Sequence, residues 1–301
     1  MHKLKHTINA AWFYMMSFCM DIWGGRSQQL WKLQKQGWKP RRTIILCNWD
    51  AEEYGLIGST EWVEENRELL ATRAVAYLNV DSAVSGPGFH ASATPQLDDL
   101  LKQAAQQVQD PDNSSQTIYE QWAGSTDSSM IGRLGGVGSD HAAFLQHIGA
   151  PAADMCFGEA GFPVYHSMYD DYTWTENFGD PMFKRNIAAA SVWGLVALRL
   201  ADEEFLPFNY HSYTFEIQRL AEDLENEISD KGITFSPLFK SIEELAKAAS
   251  NIDNQKKKLK IKQDPFLNLN NAESWDLVQH EDWRVSRAVR HASLVLNGKL
   301  T

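Results

Sequence analysis

The sequence predicts an α/β sheet whose working residues stand at the carboxyl ends of its strands, followed by a helical domain. Three observations lead there. Apolar runs of strand length at 43–48, 74–79 and 152–157 alternate with stretches of helical composition, the pattern of a sheet layered with helices. The first run ends in the adjacent carboxylates Glu52 and Glu53, and the second leads directly into Asp81. Beyond Pro207 the strand-like runs cease and only helical segments follow.

Taken in order, residues 26–36 read as an amphipathic helix with Leu30, Trp31 and Leu33 on one face, closed by Gly37. A strand over 43–48, the carboxylate loop, a helix over 59–70 and a strand over 74–79 follow. A strand over 88–93 and a helix over 95–108 precede a polar loop holding the sequon Asn113-Ser114-Ser115. Gly135-Gly136-Val137-Gly138-Ser139-Asp140-His141 is a tight turn entering a helix, with Ser139 as its expected N-cap. It has neither the GxGxxG spacing nor a following Lys-Ser or Lys-Thr, so it is not a nucleotide loop. A strand over 152–157, a long apolar helix over 181–200, and helices over 213–229, 236–253 and 284–296 complete the chain.

The 301 residues carry a formal charge of -11, which repels nucleic acid and anionic lipid. The basic run Lys256-Lys257-Lys258 with Lys260 and Lys262 reads as a solvated helix face or loop. Three cysteines, Cys19, Cys47 and Cys156, are odd in number and unrelated in spacing, so neither a disulfide framework nor a cysteine zinc site is expected. Residues 1–16 run from basic to apolar like a targeting segment, yet are too short to span a bilayer; a buried element or a non-native start is the simpler expectation.

The chemistry gathers at strand ends. Glu, Asp and His suit zinc, and a sheltered carboxylate pair divides naturally into one ligand, Glu53, and one general base, Glu52. Asp81 is the natural second carboxylate ligand and His166 the nitrogen donor, while Tyr165 can donate a hydrogen bond to substrate or to a developing oxyanion.

Gly37-Trp38-Lys39-Pro40-Arg41-Arg42-Thr43-Ile44, Trp49-Asp50-Ala51-Glu52-Glu53, Gly58-Ser59-Thr60-Glu61-Trp62, Tyr165-His166-Ser167 and Asp180-Pro181-Met182-Phe183 carry a resemblance over about 30–259. The chain resembles the carboxyl-terminal half of the glutamate carboxypeptidase II family, co-catalytic zinc exopeptidases related to the transferrin receptor, and plant members above all. The resemblance implies an atypical segment over 1–25, a partial phosphorylase/hydrolase-like zinc-exopeptidase α/β layer over 26–206, and a helical dimerisation domain over 207–301, shortened near 263–271. It implies release of a carboxyl-terminal residue, glutamate in the family, by metal-activated water attack. Glu52 would be the proton shuttle, Glu53 and His166 would hold one zinc and Asp81 a second, and Leu56, Gly138, Ser139 and Tyr165 would line the substrate cleft.

The family's bridging aspartate and second histidine have no counterpart in 1–25, where His2, His6 and Asp21 lack the His-x-Asp pattern. An impaired, truncated enzyme is therefore expected. The alternatives are a non-catalytic binding or scaffold protein of the transferrin receptor type and a zinc aminopeptidase of the wider clan. By the same resemblance the partners are a peptide substrate and a second copy of the chain. Family members are anchored by an amino-terminal helix with the catalytic domain in the lumen or outside the cell; this sequence shows no clear anchor, so a soluble chain is the expectation.

Overall fold

The computed structural model describes residues 13–17, 32–125, 131–136, 138–158, 162–228 and 233–262, with 13–17 and 260–262 described by their backbone. The chain divides into two compact units between Glu204 and Phe205. The first is mixed α/β. Its strands are β1 (Phe13–Ser17), β2 (Thr43–Cys47), β3 (Ala74–Asn79), β4 (Phe89–Ala93) and β5 (Ala152–Phe157), in the spatial order β2-β1-β3-β5-β4. All neighbours are parallel except β4 and β5, which pair antiparallel from Phe89 opposite Phe157 to Ala93 opposite Ala153. The apolar stretch near the start is thus an internal strand, with Phe13 opposite Thr43 on one side and Ala74 on the other.

β3 is buried at all six positions, which is why it reads as a continuous apolar run without alternation. On one side of the sheet Tyr77 stacks on Phe144 at 4.0 Å, and the Trp49 indole N–H donates to the Tyr77 hydroxyl at 3.0 Å. Cys47, Val63, Leu70, Ile148 and Ala152 fill the same cluster. The helix Lys184–Asp202 packs against β5 and β2 and buries Val192, Trp193, Val196 and Leu200. Arg42, at the foot of β2, donates to the carbonyls of Leu200, Glu203 and Glu204, so a buried cation satisfies one carbonyl of that helix's last turn and the two just beyond its end.

Several elements depart from their expected limits. The expected 26–36 helix is described only from residue 32, as a turn over 32–35; it ends at Gly37 (φ +95°) with Trp38 N–H bonded to Leu33 O and Gly37 N–H to Gln34 O, the paired bonds of a Schellman ending. The expected 59–70 helix is two, Ile57–Glu65 and Arg67–Arg73, because the Asn66 side chain bonds back to the Trp62 carbonyl and interrupts the run. The 95–108 helix is a 3₁₀ turn at Pro95–Leu97 followed by Asp98–Ala105. The 181–200 helix likewise begins with a separate turn, Pro181–Phe183, kinked by the positive φ of Met182 and Phe183.

The second unit packs the helix Tyr210–Glu227 against Ser236–Lys262, longer than the expected 236–253. Lys256 is not on a solvated face: its ammonium donates to the Leu206 carbonyl and lies 5.2 Å over the Tyr210 ring, while Lys257 and Lys258 are exposed. The expected 284–296 helix lies outside the described residues. Among those described, no helix is long and apolar enough to cross a membrane.

Candidate active site

The carboxylates of the first unit are presented by a tight loop after β2. Gly55 and Leu56 N–H both donate to the Glu52 carbonyl, Ile57 N–H to Ala51 and Gly58 N–H to Asp50. Such curvature needs left-handed backbone at Ala51 (φ +56°), Gly55 (φ +108°) and Leu56 (φ +59°). Two of those residues are not glycine, a strain that concentrates where side chains must be aimed. Gly58 tolerates no larger residue, since a Cβ there would lie 2.5 Å from the Asp50 carbonyl oxygen.

His166 reaches the same place from the loop after β5. It also adopts left-handed backbone (φ +57°), stacks on Tyr165 at 3.9 Å, and puts Nε2 3.1 Å from Glu53 Oε1. A tetrahedral zinc ion bonded to one carboxylate oxygen and one imidazole nitrogen at about 2.0–2.2 Å holds those atoms roughly 3.4 Å apart. The Glu53–His166 pair, in direct contact at 3.1 Å, would need to open by only a few tenths of an ångström to admit an ion between them. Among the described residues no three His, Cys, Asp or Glu side chains converge on a single point.

Asp81 follows β3, and Ser139 connects it to the sheet. Asn79, fully buried, donates from Nδ2 to Ser139 Oγ at 2.8 Å and to Asp154 Oδ1 at 3.0 Å, while Ser139 bonds Asp81. Ser139, expected as an N-cap and as cleft lining, is thus 4% exposed with its hydroxyl accepting from Asn79. Leu56 is also buried; Gly138 and Tyr165 are exposed.

The charges reinforce one another. Burial raises the Glu52 carboxyl above its ordinary range, and Asp81, Glu53 and Asp140 add to the rise while His166 opposes it. Asp81 is raised by desolvation, against the Ser139 hydrogen bond. Burial also raises Asp140, against a hydrogen bond from Ser59, and takes Asp154 up to about 7 despite the Asn79 bond. Carboxylates that push each other up would be stabilised by a cation in their midst, and of the expected ligands only Glu53 and His166 stand close together. The Tyr165 phenol is raised by desolvation and by Asp81, Glu53 and Glu52, and so stays a protonated donor. Cys47 and Cys156 are both raised to about 12, by burial first, which leaves neither thiol a nucleophile.

Sequence reasoning missed Asn79 and Asp140 as parts of this site. Asp140 is 6% exposed with Oδ1 unpartnered, and the adjacent His141, equally buried, has neither ring nitrogen hydrogen-bonded. Burial lowers the His141 pKa and keeps the ring neutral. The available signals were position directly after Ser139 for Asp140 and position two before Asp81 for Asn79.

Residues 28–190 match Peptidase family M28. A probable glutamate carboxypeptidase, LAMP1, from Arabidopsis thaliana is 57% identical over 91% of this chain and 48% of its own length. A second from the same plant, AMP1, is 47% identical over 76% of this chain and 32% of its own length. Aminopeptidase NAALADL1 from Mus musculus is 35% identical over 73% of this chain and 32% of its own. The chain thus spans between about a third and a half of the length of these relatives.

Proposed function

Because the chain belongs to peptidase family M28, we propose that the loops after β2, β3 and β5 form the hydrolytic centre of a zinc-dependent exopeptidase. The supporting observation is the 3.1 Å approach of His166 Nε2 to Glu53 Oε1, with Glu52 next in the chain and raised in pKa. Glu53 and His166 would hold one zinc and Asp81 a second. Zinc bound there supplies a Lewis acid that polarises the scissile carbonyl and acidifies water.

The protein's own groups do the rest. Glu52, its carboxyl raised by burial and then by its acidic neighbours, accepts a proton from the attacking water and returns it to the leaving amine. Tyr165, kept protonated, donates a hydrogen bond to the oxygen on which charge develops. Leu56, Gly138 and Ser139 would line the cleft, Leu56 and Ser139 with little of their own surface exposed.

The terminus attacked is the carboxyl one on this reading, supported by the plant glutamate carboxypeptidase relatives. The mouse aminopeptidase relative favours the other terminus as the second reading. Peptides blocked at one end or the other separate the two.

The experiment that tests the proposal is zinc content per chain, with Glu53→Ala and Asp81→Ala variants, beside peptide hydrolysis with and without chelator. Zinc lost on either substitution, and hydrolysis lost on chelation, is the expected result. Hydrolysis indifferent to chelation overturns it. No tightly held zinc and no hydrolysis makes the chain a non-catalytic binding protein, or an impaired form of the enzyme. We also propose a homodimer formed through the second unit, supported by the exposed Phe215, Leu220 and Leu224 on one helix.

A further inference from the structure

We propose that Trp174 is a positioning residue, which holds His166 in place through a chain of rings running from Trp174 to Phe162, Tyr165 and the imidazole. The consequence for metal binding rests on the hydrolytic reading of His166, whereas the chain of rings does not. His166 sits on left-handed backbone (φ +57°), a conformation that a residue other than glycine keeps only where its surroundings enforce it. Its turn is closed by local bonds, from Tyr165 N–H to the Phe162 carbonyl at 2.9 Å and from Ser167 N–H to the Val164 carbonyl at 3.0 Å. These join near neighbours in the chain and leave the direction of the whole turn open.

The rings supply that direction. Tyr165 lies on the imidazole with centroids 3.9 Å apart and planes 19° from parallel. Phe162 meets Tyr165 at 5.4 Å and Trp174 at 5.1 Å, within the range of about 4.5–7 Å at which aromatic pairs attract. Phe162 and Trp174 are both half-buried, so the contact is sheltered from water. It ties the His166 turn to a separate one, Tyr172–Trp174.

The far end of the chain of rings is fixed. Trp174 N–H donates to Asp171 Oδ1 at 2.9 Å, and the indole lies so close to Gly179 that a Cβ there would fall 2.5 Å from Cζ3. Gly179 has no positive φ; what glycine provides at this position is space for the indole. The next residue, Asp180, is 1% exposed and accepts the backbone N–H groups of Arg185 and Asn186 at the start of the helix Lys184–Asp202. Contact therefore runs without a break from that helix to the imidazole whose Nε2 is 3.1 Å from Glu53. A metal-ligating histidine is usually oriented by a hydrogen bond from its second ring nitrogen, and groups that orient ligands commonly change metal affinity about 10- to 100-fold when removed. Here a stacked ring, braced from behind, takes the orienting role.

The test uses the whole chain with Trp174→Ala, Gly179→Ala and Trp174→Phe. Tyr172→Ala is the control, since that ring stacks on Phe183 instead. Two quantities are read at one pH: the chemical shifts of the His166 ring protons, assigned by their loss in His166→Asn, and affinity for zinc alone by competition with a chelating dye. Trp174→Ala removes the brace and Gly179→Ala displaces it; each should move the His166 resonances away from their stacked position and lower zinc affinity about tenfold. Trp174→Phe keeps a ring beside Phe162 and should recover most of both, while Tyr172→Ala should change neither.

Unchanged His166 resonances in Trp174→Ala overturn the proposal. So do equal shifts in Tyr172→Ala, which would mean general loss of order in this segment, and so does a failure of Trp174→Phe to recover the parent's resonances. Moved resonances with unchanged zinc affinity, in a parent whose zinc depends on Glu53, overturn it too. If the parent and Glu53→Ala bind zinc equally weakly, the hydrolytic reading fails, while the resonances still decide whether Trp174 positions His166.

Discussion

Two adjacent glutamates can divide into base and ligand only if their surroundings treat them differently. Glu53 faces His166 at 3.1 Å, whereas Glu52 is half-buried among carboxylates that raise its pKa. Glu52→Gln should therefore lower turnover by about 10²–10⁴-fold with zinc content unchanged, and Glu53→Ala should remove zinc; metal analysis beside peptide hydrolysis checks both. Asp154 offers a separate test in stability. Its pKa rises from 3.8 to about 7 on folding, burial first among the causes, so between those values the folded chain binds more protons than the unfolded one. Stability contributed by this group is full below about 4, declines as pH rises toward 7, and is level above. In metal-free protein the melting temperature of Asp154→Asn should fall less than that of the parent between pH 5 and 7.5.

At the scale of elements, the loop over 50–58 and the Arg42 anchor carry the sharpest expectations. Gly58→Ala forces a Cβ against backbone 2.5 Å away, a clash that should cost about 1–3 kcal/mol, read as a lowered urea midpoint. Arg42→Met leaves three carbonyls without their donor and should cost about 3 kcal/mol by the same measurement. The strands were legible in the sequence because burial on both faces of β3 leaves an uninterrupted apolar run, and their carboxyl ends pointed to Glu52, Glu53 and Asp81. Asn66 was harder to see, since a side chain bonding back to Trp62 breaks a helix without any change in composition. Lys256 read as surface because its neighbours are lysines, yet the Tyr210 ring and Leu206 carbonyl receive it inside.

For the whole molecule, the two units divide the expectations. The proposed dimer predicts that sedimentation will find paired chains, and that Leu220→Glu with Leu224→Glu, exposed one turn apart on one helix, will separate them without lowering zinc content. The sheet of the first unit has a different dependence. β1 lies between β2 and β3, so these two touch only through it. During synthesis β1 leaves the ribosome before either neighbour and waits unpaired until β2, some thirty residues later in the sequence, emerges to meet it. A protease cut just after Ser17 would free that strand and turn β2 and β3 into two open edges, each able to recruit a strand from another chain. Whether β2 and β3 share one sheet is therefore decided by a strand that lies outside the sequence stretch joining them.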